Sequence, residues 1–162
     1  MTASSWQPAM SWRPDDEALD LWRLRVAVAP DDEALLSEQE RQRAARLVVQ
    51  HKRRQQVAAR AGLRRILARY VDRAPEQLRF ELGEHGKPEL CESGGPAFNL
   101  SHSEDVVVVG VWRHSTIGVD VEHRRSGRRF EGLAERFFST PEFREWRRLG
   151  PERREEAFYR VW

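Results

Sequence analysis

The chain has 162 residues, of which 40% are hydrophobic and 33% are charged, and its formal net charge is +2. This length and apolar content suit one globular domain, and the small net charge disfavours binding of a polyanion through the overall field. The single cysteine, Cys91, excludes an intrachain disulfide bond and a cysteine-rich zinc site. Because neither a signal-peptide pattern nor an apolar run of about 18 residues is present, we expect a cytoplasmic protein that does not span a membrane.

The first part of the chain predicts a strand followed by two helices. Residues 21–28 begin with alternating apolar and polar side chains, which is typical of a strand. A helix is predicted near residues 33–48, and Ser37 with Glu40 matches a capping box at the start of its main part. A second helix is predicted at about 52–70, with an apolar side and an opposite side rich in arginine.

The middle of the chain predicts extended structure. Alternation at residues 78–82 predicts a strand, and the glycines of 83–88 predict a turn-rich loop. The valine-rich run 106–112 predicts a buried strand, which a short turn joins to a second strand at 116–122 as a hairpin. Just before the valine run, residues 98–103 carry small hydrogen-bonding side chains, which we interpret as a loop able to hold an anion. The alternative is a turn with local side-chain to backbone hydrogen bonds.

The C-terminal part predicts helices. One is expected at residues 130–137, and the next begins at Ser139, with an early proline and Glu142 three residues after the cap. Gly150 and Pro151 end that helix, and residues 152–162 begin a last one. Because no helix stop signal follows, we expect that residues C-terminal to this chain are missing.

Two carboxylates alternate with apolar residues in the segment Ile117-Gly118-Val119-Asp120-Val121-Glu122. On a strand, Asp120 and Glu122 would share one face with Cα atoms about 7 Å apart, while Val119 and Val121 face the core. Two ionised carboxylates repel each other, and a divalent cation such as Mg²⁺ or Mn²⁺ relieves that repulsion. The alternative is an ordinary solvated strand face that carries two acids.

Cationic and hydroxyl-bearing residues nearby suit a phosphate ligand. Lys87 lies between Gly86 and Pro88, and Ser101 and His102 lie in the segment before the valine run. Between residues 41 and 73 the chain has eleven Arg or Lys residues and one acid, Asp72. Each feature also has a plain structural interpretation, as a generic turn or as the solvated face of a helix. The basic helix alternatively suits docking to an acidic partner.

Taken together and in this order, the motifs resemble the 4′-phosphopantetheinyl transferases of the surfactin-synthetase-activating type. The resemblance covers about residues 39–162. It rests on five stretches, which are Gly86-Lys87-Pro88, Phe98-Asn99-Leu100-Ser101-His102-Ser103, Gly118-Val119-Asp120-Val121-Glu122, Arg136-Phe137-Phe138-Ser139-Thr140-Pro141-Glu142 and Phe158-Tyr159-Arg160-Val161-Trp162.

The resemblance implies an α+β fold. The chain would hold the first half of a pseudo-twofold fold, with an antiparallel sheet packed on a long helix, and the helical start of the second half. We therefore expect an α+β subdomain at 21–123 and a truncated helical subdomain at 124–162. Residues 1–20 are polar with scattered Trp and Pro residues, and we expect them to be loosely ordered.

The resemblance also implies an activity and its site. Members of this family transfer the phosphopantetheine arm of coenzyme A to a serine of an apo-acyl or apo-peptidyl carrier protein and release 3′,5′-ADP. The metal ligands map to Asp120 and Glu122, and Glu142 matches a further acid near the metal. The coenzyme A phosphate contacts map to Lys87, Ser101 and His102, and Arg53 and Arg54 are candidates for the cationic phosphate contacts of the basic helix.

One departure from the family pattern affects the expected activity. In the family, a Lys-Glu pair follows the closing tryptophan after two residues, and its Glu is the third metal ligand and favoured base. Because this chain ends at Trp162, we expect weak or no transfer by these residues alone. An alternative is a catalytically inactive module that binds carrier proteins. A small nucleic-acid-binding domain is disfavoured, because aromatic and basic residues do not interleave on a strand face.

Overall fold

The computed structural model describes residues 18–83, 86–125 and 130–161. The chain divides into two compact units, residues 1–122 and 123–162. Most of the segment at 1–20, for which loose order is predicted, lies outside the described residues, as do parts of the loops at 83–88 and 123–129 and the closing Trp162. None of the described helices is long and apolar enough to cross a membrane.

A three-stranded antiparallel sheet forms the centre of the first unit. Its strands are β1 (Asp20–Arg25), β4 (Ala97–Ser103) and β5 (Val106–Trp112), in the order β1-β5-β4. The predicted strand at 106–112 is therefore confirmed, and it is the central strand. The interpretation of residues 98–103 as a loop is wrong, because they pair along their length with β5, from Ala97 opposite Trp112 to Ser103 opposite Val106.

The hairpin predicted between 106–112 and 116–122 does not form. β5 already has β1 on one edge and β4 on the other, so no edge remains for a further strand. The hairpin partner of β5 is instead β4, and Glu104 and Asp105 make the turn between them. Glu104 has a φ of 49°, a left-handed conformation that tight turns often require.

Three helices lie between β1 and β4 in the chain. They are α1 (Asp32–Leu35), α2 (Glu38–Ala45) and α3 (Gln50–Leu67). The single helix predicted at 33–48 is two helices, because Leu36 is extended (φ −79°, ψ 143°) and Ser37 starts a new helix with the predicted capping box. Ser37 Oγ accepts from Glu40 N at 3.3 Å, and Glu40 Oε2 accepts from Ser37 N at 2.8 Å.

The long helix α3 packs on one face of the sheet. Its apolar side chains join those of the three strands in one buried cluster, which includes Trp22, Leu24, Leu63, Ile66, Leu67, Phe98, Val107, Val109 and Val111. A Cβ on Gly62 would lie 2.4 Å from Leu24 Cδ1, so α3 approaches β1 closely here and a larger residue would have to displace the Leu24 side chain. The predicted arrangement of an antiparallel sheet on a long helix is confirmed.

One arginine of α3 lies on the buried side, contrary to the prediction that its arginines face away from the core. Arg64 is 1% exposed and its guanidinium lies 2.7 Å from Glu40 Oε2. It also donates to the carbonyl oxygens of Pro75 and Leu78, each at 2.9 Å. Arg60 completes the group at 3.3 Å from Glu40 Oε1. The buried charge is tolerated because each donor has a partner.

A short hairpin extends the first unit. Residues 75–77 form a 3₁₀ turn, and β2 (Phe80–Leu82) pairs antiparallel with β3 (Pro88–Leu90). Gly86 has a φ of 70°, and the backbone of Gly83 donates to the carbonyl of Lys87 at 2.9 Å. This hairpin places Lys87 in its loop, directly before β3.

The second unit contains three helices in its described residues. They are α4 (Glu131–Phe137), α5 (Thr140–Arg148) and α6 (Pro151–Val161), close to the predicted spans. Their buried residues form a separate cluster of Phe130, Ala134, Trp146 and Phe158. Each unit therefore has its own apolar core.

The capping box of α5 predicts a dependence of stability on pH. Hydrogen bonds from the Ser139 hydroxyl and then from its backbone N–H lower the pKa of Glu142 below its ordinary value of 4.5. A lowered folded-state pKa contributes stability that is present above the ordinary value and is lost as the pH falls through the folded value. We expect Ser139→Ala to have a lower free energy of unfolding than the parent at pH 7. This difference in free energy should be smaller at pH 3.

Urea unfolding followed by circular dichroism at both pH values measures this difference. Ser93→Ala, at an exposed serine outside any helix, is the control and should leave the midpoint unchanged at both values. A gap between parent and Ser139→Ala that stays constant from pH 7 to pH 3 would show that Glu142 ionisation does not stabilise the cap.

Candidate active site

Asp120 and Glu122 lie in an extended stretch that is not part of either sheet. We call residues 117–122 the carboxylate segment. Its exposure alternates as predicted: Ile117, Val119 and Val121 are half-buried, whereas Gly118, Asp120 and Glu122 are exposed. The prediction of a strand here is wrong, since no strand follows Trp112 among the described residues.

The carboxylate segment rests on the face of the sheet opposite α3. On β5, Gly110 points to this outer face, and a Cβ there would lie 2.6 Å from Val119 Cγ1 and 2.7 Å from Ile117 Cδ1. Any larger residue at this position would have to displace the Val119 and Ile117 side chains that pack there. The prediction that Val119 and Val121 face the main core is wrong. The main core lies between the sheet and α3, on the other face of the sheet.

Side chains of β4 hold the carboxylate segment where backbone pairing is absent. Asn99 Oδ1 accepts from the backbone N–H of Val119 at 2.8 Å, and Ser101 Oγ accepts from that of Val121 at 3.1 Å. Side chains two residues apart on a strand share a face, so Asn99, Ser101 and Ser103 all project toward the segment. We call these three residues the polar row.

The polar row also contacts the two carboxylates. Ser101 Oγ donates to Asp120 Oδ1 at 2.8 Å, and Ser103 Oγ donates to Glu122 Oε2 at 3.4 Å. Both carboxylates are therefore drawn toward the same face of β4 while they stay exposed to solvent.

This donor set fits a magnesium ion. No group of three or more His, Cys, Asp or Glu side chains that could hold a metal is found among the residues the structure describes. Mg²⁺ is nevertheless commonly bound through one or two carboxylates, with waters and substrate phosphates completing its shell. Asp120 and Glu122 supply two hard oxygen donors on an open surface, which matches that pattern.

Lys87 lies beside the carboxylate segment. Its ammonium group donates to the carbonyl oxygen of Ile117 at 2.5 Å, which joins the loop before β3 to the first residue of the segment. An ammonium group has three donors, so this contact leaves two for another acceptor. The structure therefore places Lys87 at the start of the carboxylate segment, and Ser101 and Ser103 at its two carboxylates.

His102 does not join this group. It follows Ser101 on β4, and alternation sends its side chain to the opposite face, together with Phe98 and Leu100. Its partner on β5 is Val107, a residue of the buried core, while His102 itself is exposed.

Arg53 and Arg54 lie at the α3 side of the sheet. They line a cleft of about 630 Å³ between the start of α3, the residues after β1 and the β4–β5 turn. Arg53 lies 3.6 Å from Glu33, whereas no ion pair joins Arg54 to an acid within the described residues. The cleft is thus separate from the outer face on which the carboxylate segment rests.

Glu142 belongs to the second unit, where it caps α5. Its Oε2 accepts from Ser139 N at 2.8 Å and from Ser139 Oγ at 2.6 Å. The capping prediction is confirmed, and the role of Glu142 beside a metal remains a prediction.

Three residues of this site, Asn99, Ser103 and Gly110, are not among the predicted site residues. A pattern for the first two was present, because Asn99, Ser101 and Ser103 alternate with Leu100 and His102 in the way that polar residues on one strand face do. Because residues 98–103 were predicted to form a loop, this strand-like alternation was not recognised. For Gly110 the sequence carries only a glycine inside a valine run, which indicates a close approach without naming the neighbour.

Comparisons with known proteins cover nearly the whole chain. Residues 10–112 match the family model described as 4′-phosphopantetheinyl transferase, N-terminal, and residues 116–162 match that of the 4′-phosphopantetheinyl transferase superfamily. HetI of Nostoc, a 4′-phosphopantetheinyl transferase, is 35% identical over 153 residues, which is 90% of this chain and 65% of HetI.

Two further relatives bear the same name. The putative 4′-phosphopantetheinyl transferase slr0495 of Synechocystis is 36% identical over 135 residues, 82% of this chain and 55% of the relative. The transferase psf-1 of Bacillus pumilus is 37% identical over 87 residues, 54% of this chain and 36% of the relative. The chain thus spans between about half and two thirds of the length of HetI and slr0495. With both family models matched in sequence order, the chain belongs to the 4′-phosphopantetheinyl transferase family.

Proposed function

We propose that this protein transfers the 4′-phosphopantetheine group of coenzyme A to a serine of an apo-carrier protein. Family membership supports the reaction type, and the names of the relatives describe the same transfer. The observation that carries the proposal is the pair of exposed carboxylates, Asp120 and Glu122, which serine hydroxyls hold on one face of β4. Such a pair suits a diphosphate bound through a divalent cation.

In the proposed reaction, the carrier serine attacks the β-phosphorus of the coenzyme A pyrophosphate. The new bond joins serine Oγ to that phosphorus, the bond from the phosphorus to the bridging oxygen breaks, and 3′,5′-ADP leaves. Bound Mg²⁺ would neutralise pyrophosphate charge and stabilise the leaving group. Asp120 and Glu122 would hold that ion, and the serine proton would pass to a carboxylate base.

Phosphate recognition is assigned to cationic and polar side chains of the first unit. Lys87 lies next to the carboxylate segment and supplies a positive charge beside the pyrophosphate. Ser101, at the same place, and His102, Arg53 and Arg54, on the α3 side, are proposed contacts for the remaining phosphate of coenzyme A. The ligand would then extend from the outer face of the sheet around the end of β4.

The proposed fold follows the family architecture. We infer that residues up to about 123 form the first half of a pseudo-twofold fold and that the helices of the second unit start its second half. The antiparallel sheet on α3 and the separate helical core support this assignment.

An acidic carrier protein is the proposed partner because the start of α3 is positively charged. The first turns of α3 expose Lys52, Arg53 and Arg54 without any acid in the helix start, and carrier proteins are acidic near their modified serine. A second candidate function, carrier binding without transfer, is favoured by the lack of a third ligand beside the carboxylate pair within the described residues.

One assay separates the two functions. The chain is incubated with coenzyme A, Mg²⁺ and an apo-carrier protein, and mass spectrometry detects the mass gain on the carrier. Transfer that requires Mg²⁺ supports the proposed reaction. Carrier binding without any mass gain supports the second candidate and contradicts the first.

A further inference from the structure

The polar row is matched in spacing to the carboxylate segment. Asn99 contacts residue 119, Ser101 contacts residues 120 and 121, and Ser103 contacts residue 122. Successive members of the polar row therefore contact successive residues of the segment. The segment therefore runs in the same direction as β4. Its contacts come from side chains, since no backbone ladder joins it to the sheet.

The side-chain hydrogen bonds of the polar row take the place of the backbone hydrogen bonds that usually hold an extended segment. A strand in a sheet is held by backbone hydrogen bonds to its neighbour, which fix where alternate side chains point. The carboxylate segment lacks that ladder, and Asn99 Oδ1 and Ser101 Oγ accept the backbone N–H groups of Val119 and Val121 instead. These two bonds flank Asp120 and so set the backbone from which its carboxylate projects.

Two further residues fit the same role. Gly110 leaves room for Ile117 and Val119 against β5, and Lys87 holds the Ile117 carbonyl at the start of the segment. The segment is thus restrained at its start, along its apolar side and at alternate backbone amides.

We propose that Asn99, Ser101 and Ser103 are positioning residues that hold Asp120 and Glu122 in the geometry needed to share one divalent cation. This inference rests on the proposed function, because it assumes that the carboxylate pair binds a metal. Hydrogen-bonded residues that orient metal ligands usually change metal affinity by about 10- to 100-fold when they are lost.

Asn99 allows a matched pair of variants. Asn99→Leu has similar size and removes the acceptor for Val119 N–H, whereas Asn99→Asp keeps an oxygen in its place. A second pair is Ser101→Ala, which removes the hydroxyl, and Ser101→Thr, which keeps it. Ser93→Ala, at an exposed serine away from β4, is the control for a simple loss of a hydroxyl.

Two measurements on the full chain use Mn²⁺ alone as the probe, so contacts to coenzyme A do not enter. The first is the exchange rate of the Val119 and Val121 amides by nuclear magnetic resonance. The second is the Mn²⁺ concentration that half-broadens the amide signals of residues 119–122. Melting curves confirm that each variant is folded, and if Asn99→Leu does not fold, the Ser101 pair carries the comparison.

We expect Asn99→Leu to speed exchange at Val119 by about 2- to 10-fold, the factor of one ordinary hydrogen bond. Ser101→Ala should do the same at Val121, and both should weaken Mn²⁺ binding by about 10- to 100-fold. Asn99→Asp, Ser101→Thr and Ser93→Ala should retain amide protection, and none of them should weaken binding.

Three results would overturn the inference. Unchanged amide exchange in Asn99→Leu and Ser101→Ala would show that the polar row does not restrain the segment. Faster exchange with unchanged Mn²⁺ binding would show that the restraint does not serve the metal. Absence of Mn²⁺ binding in the parent chain would instead remove the proposed metal site itself, and this outcome is distinct from the other two.

Discussion

Asp120→Ala is expected to lower phosphopantetheine transfer by about 10³-fold or more, which corresponds to about 4 kcal/mol of transition-state stabilisation. The exposed carboxylate of Asp120 is one of the two hard oxygen donors on the carboxylate segment. Without it, a divalent cation would be held by Glu122 alone, and charge on the pyrophosphate would be poorly neutralised. The measurement is the rate of mass gain on an apo-carrier protein at saturating coenzyme A.

Asp72→Ala removes the same charge from an exposed site after α3 and is the matched control. It should retain the parent rate, and Asp120→Ala should retain the parent melting temperature, since its carboxylate contributes no buried contact. Partial recovery of Asp120→Ala at high Mg²⁺ would fit a weakened metal site. Transfer by Asp120→Ala at the parent rate would contradict the role given to this residue.

Glu40→Ala is expected to destabilise the first unit by about 3–5 kcal/mol, the cost of breaking a buried ion pair. Arg64 is 1% exposed and Arg60 is largely buried, and both have Glu40 as their acid. Burial lowers the pKa of Arg60, and the charge of Glu40 opposes that shift. Removing Glu40 therefore leaves two desolvated guanidinium groups without a counter-ion and also breaks the capping box at Ser37.

The measurement is the free energy of unfolding from urea titrations at neutral pH. Glu38→Ala is the control, because Glu38 lies in the same helix and pairs with Arg41 on the exposed surface, where ion pairs contribute little. A loss for Glu40→Ala as small as that for Glu38→Ala would contradict the structural role of the buried network.

Elements with a strong local signal were predictable. The capping boxes at Ser37 and Ser139, the long amphipathic helix and the valine strand are present near the predicted positions, because capping and periodicity act within a few residues. Strand pairing was not predictable in the same way. Residues 98–103 and 117–122 have similar alternation, and only the occupation of both β5 edges decides which of them joins the sheet.

For the candidate site too, some features could be predicted from the sequence and others could not. The identity of the chemical groups, namely the carboxylates of Asp120 and Glu122 and the cation of Lys87, could be inferred from residue types and motif order. Their contacts could not, because Lys87, Ser101 and Ile117 are far apart in the chain and meet only after the sheet has formed. The same holds for Arg64, whose burial depends on Glu40 and two backbone carbonyls.

The sequence by itself determined the family of this protein, the types of most elements and the donors available for a metal and a phosphate, since these depend on residue chemistry and short-range spacing. The tertiary structure alone decided that the carboxylate segment lies on the outer sheet face and that the polar row holds it. It also decided that the His102 side chain points to the opposite face. The physical reason is that a strand has two edges and two faces. Which neighbour takes each of them is settled by packing between residues distant in the chain.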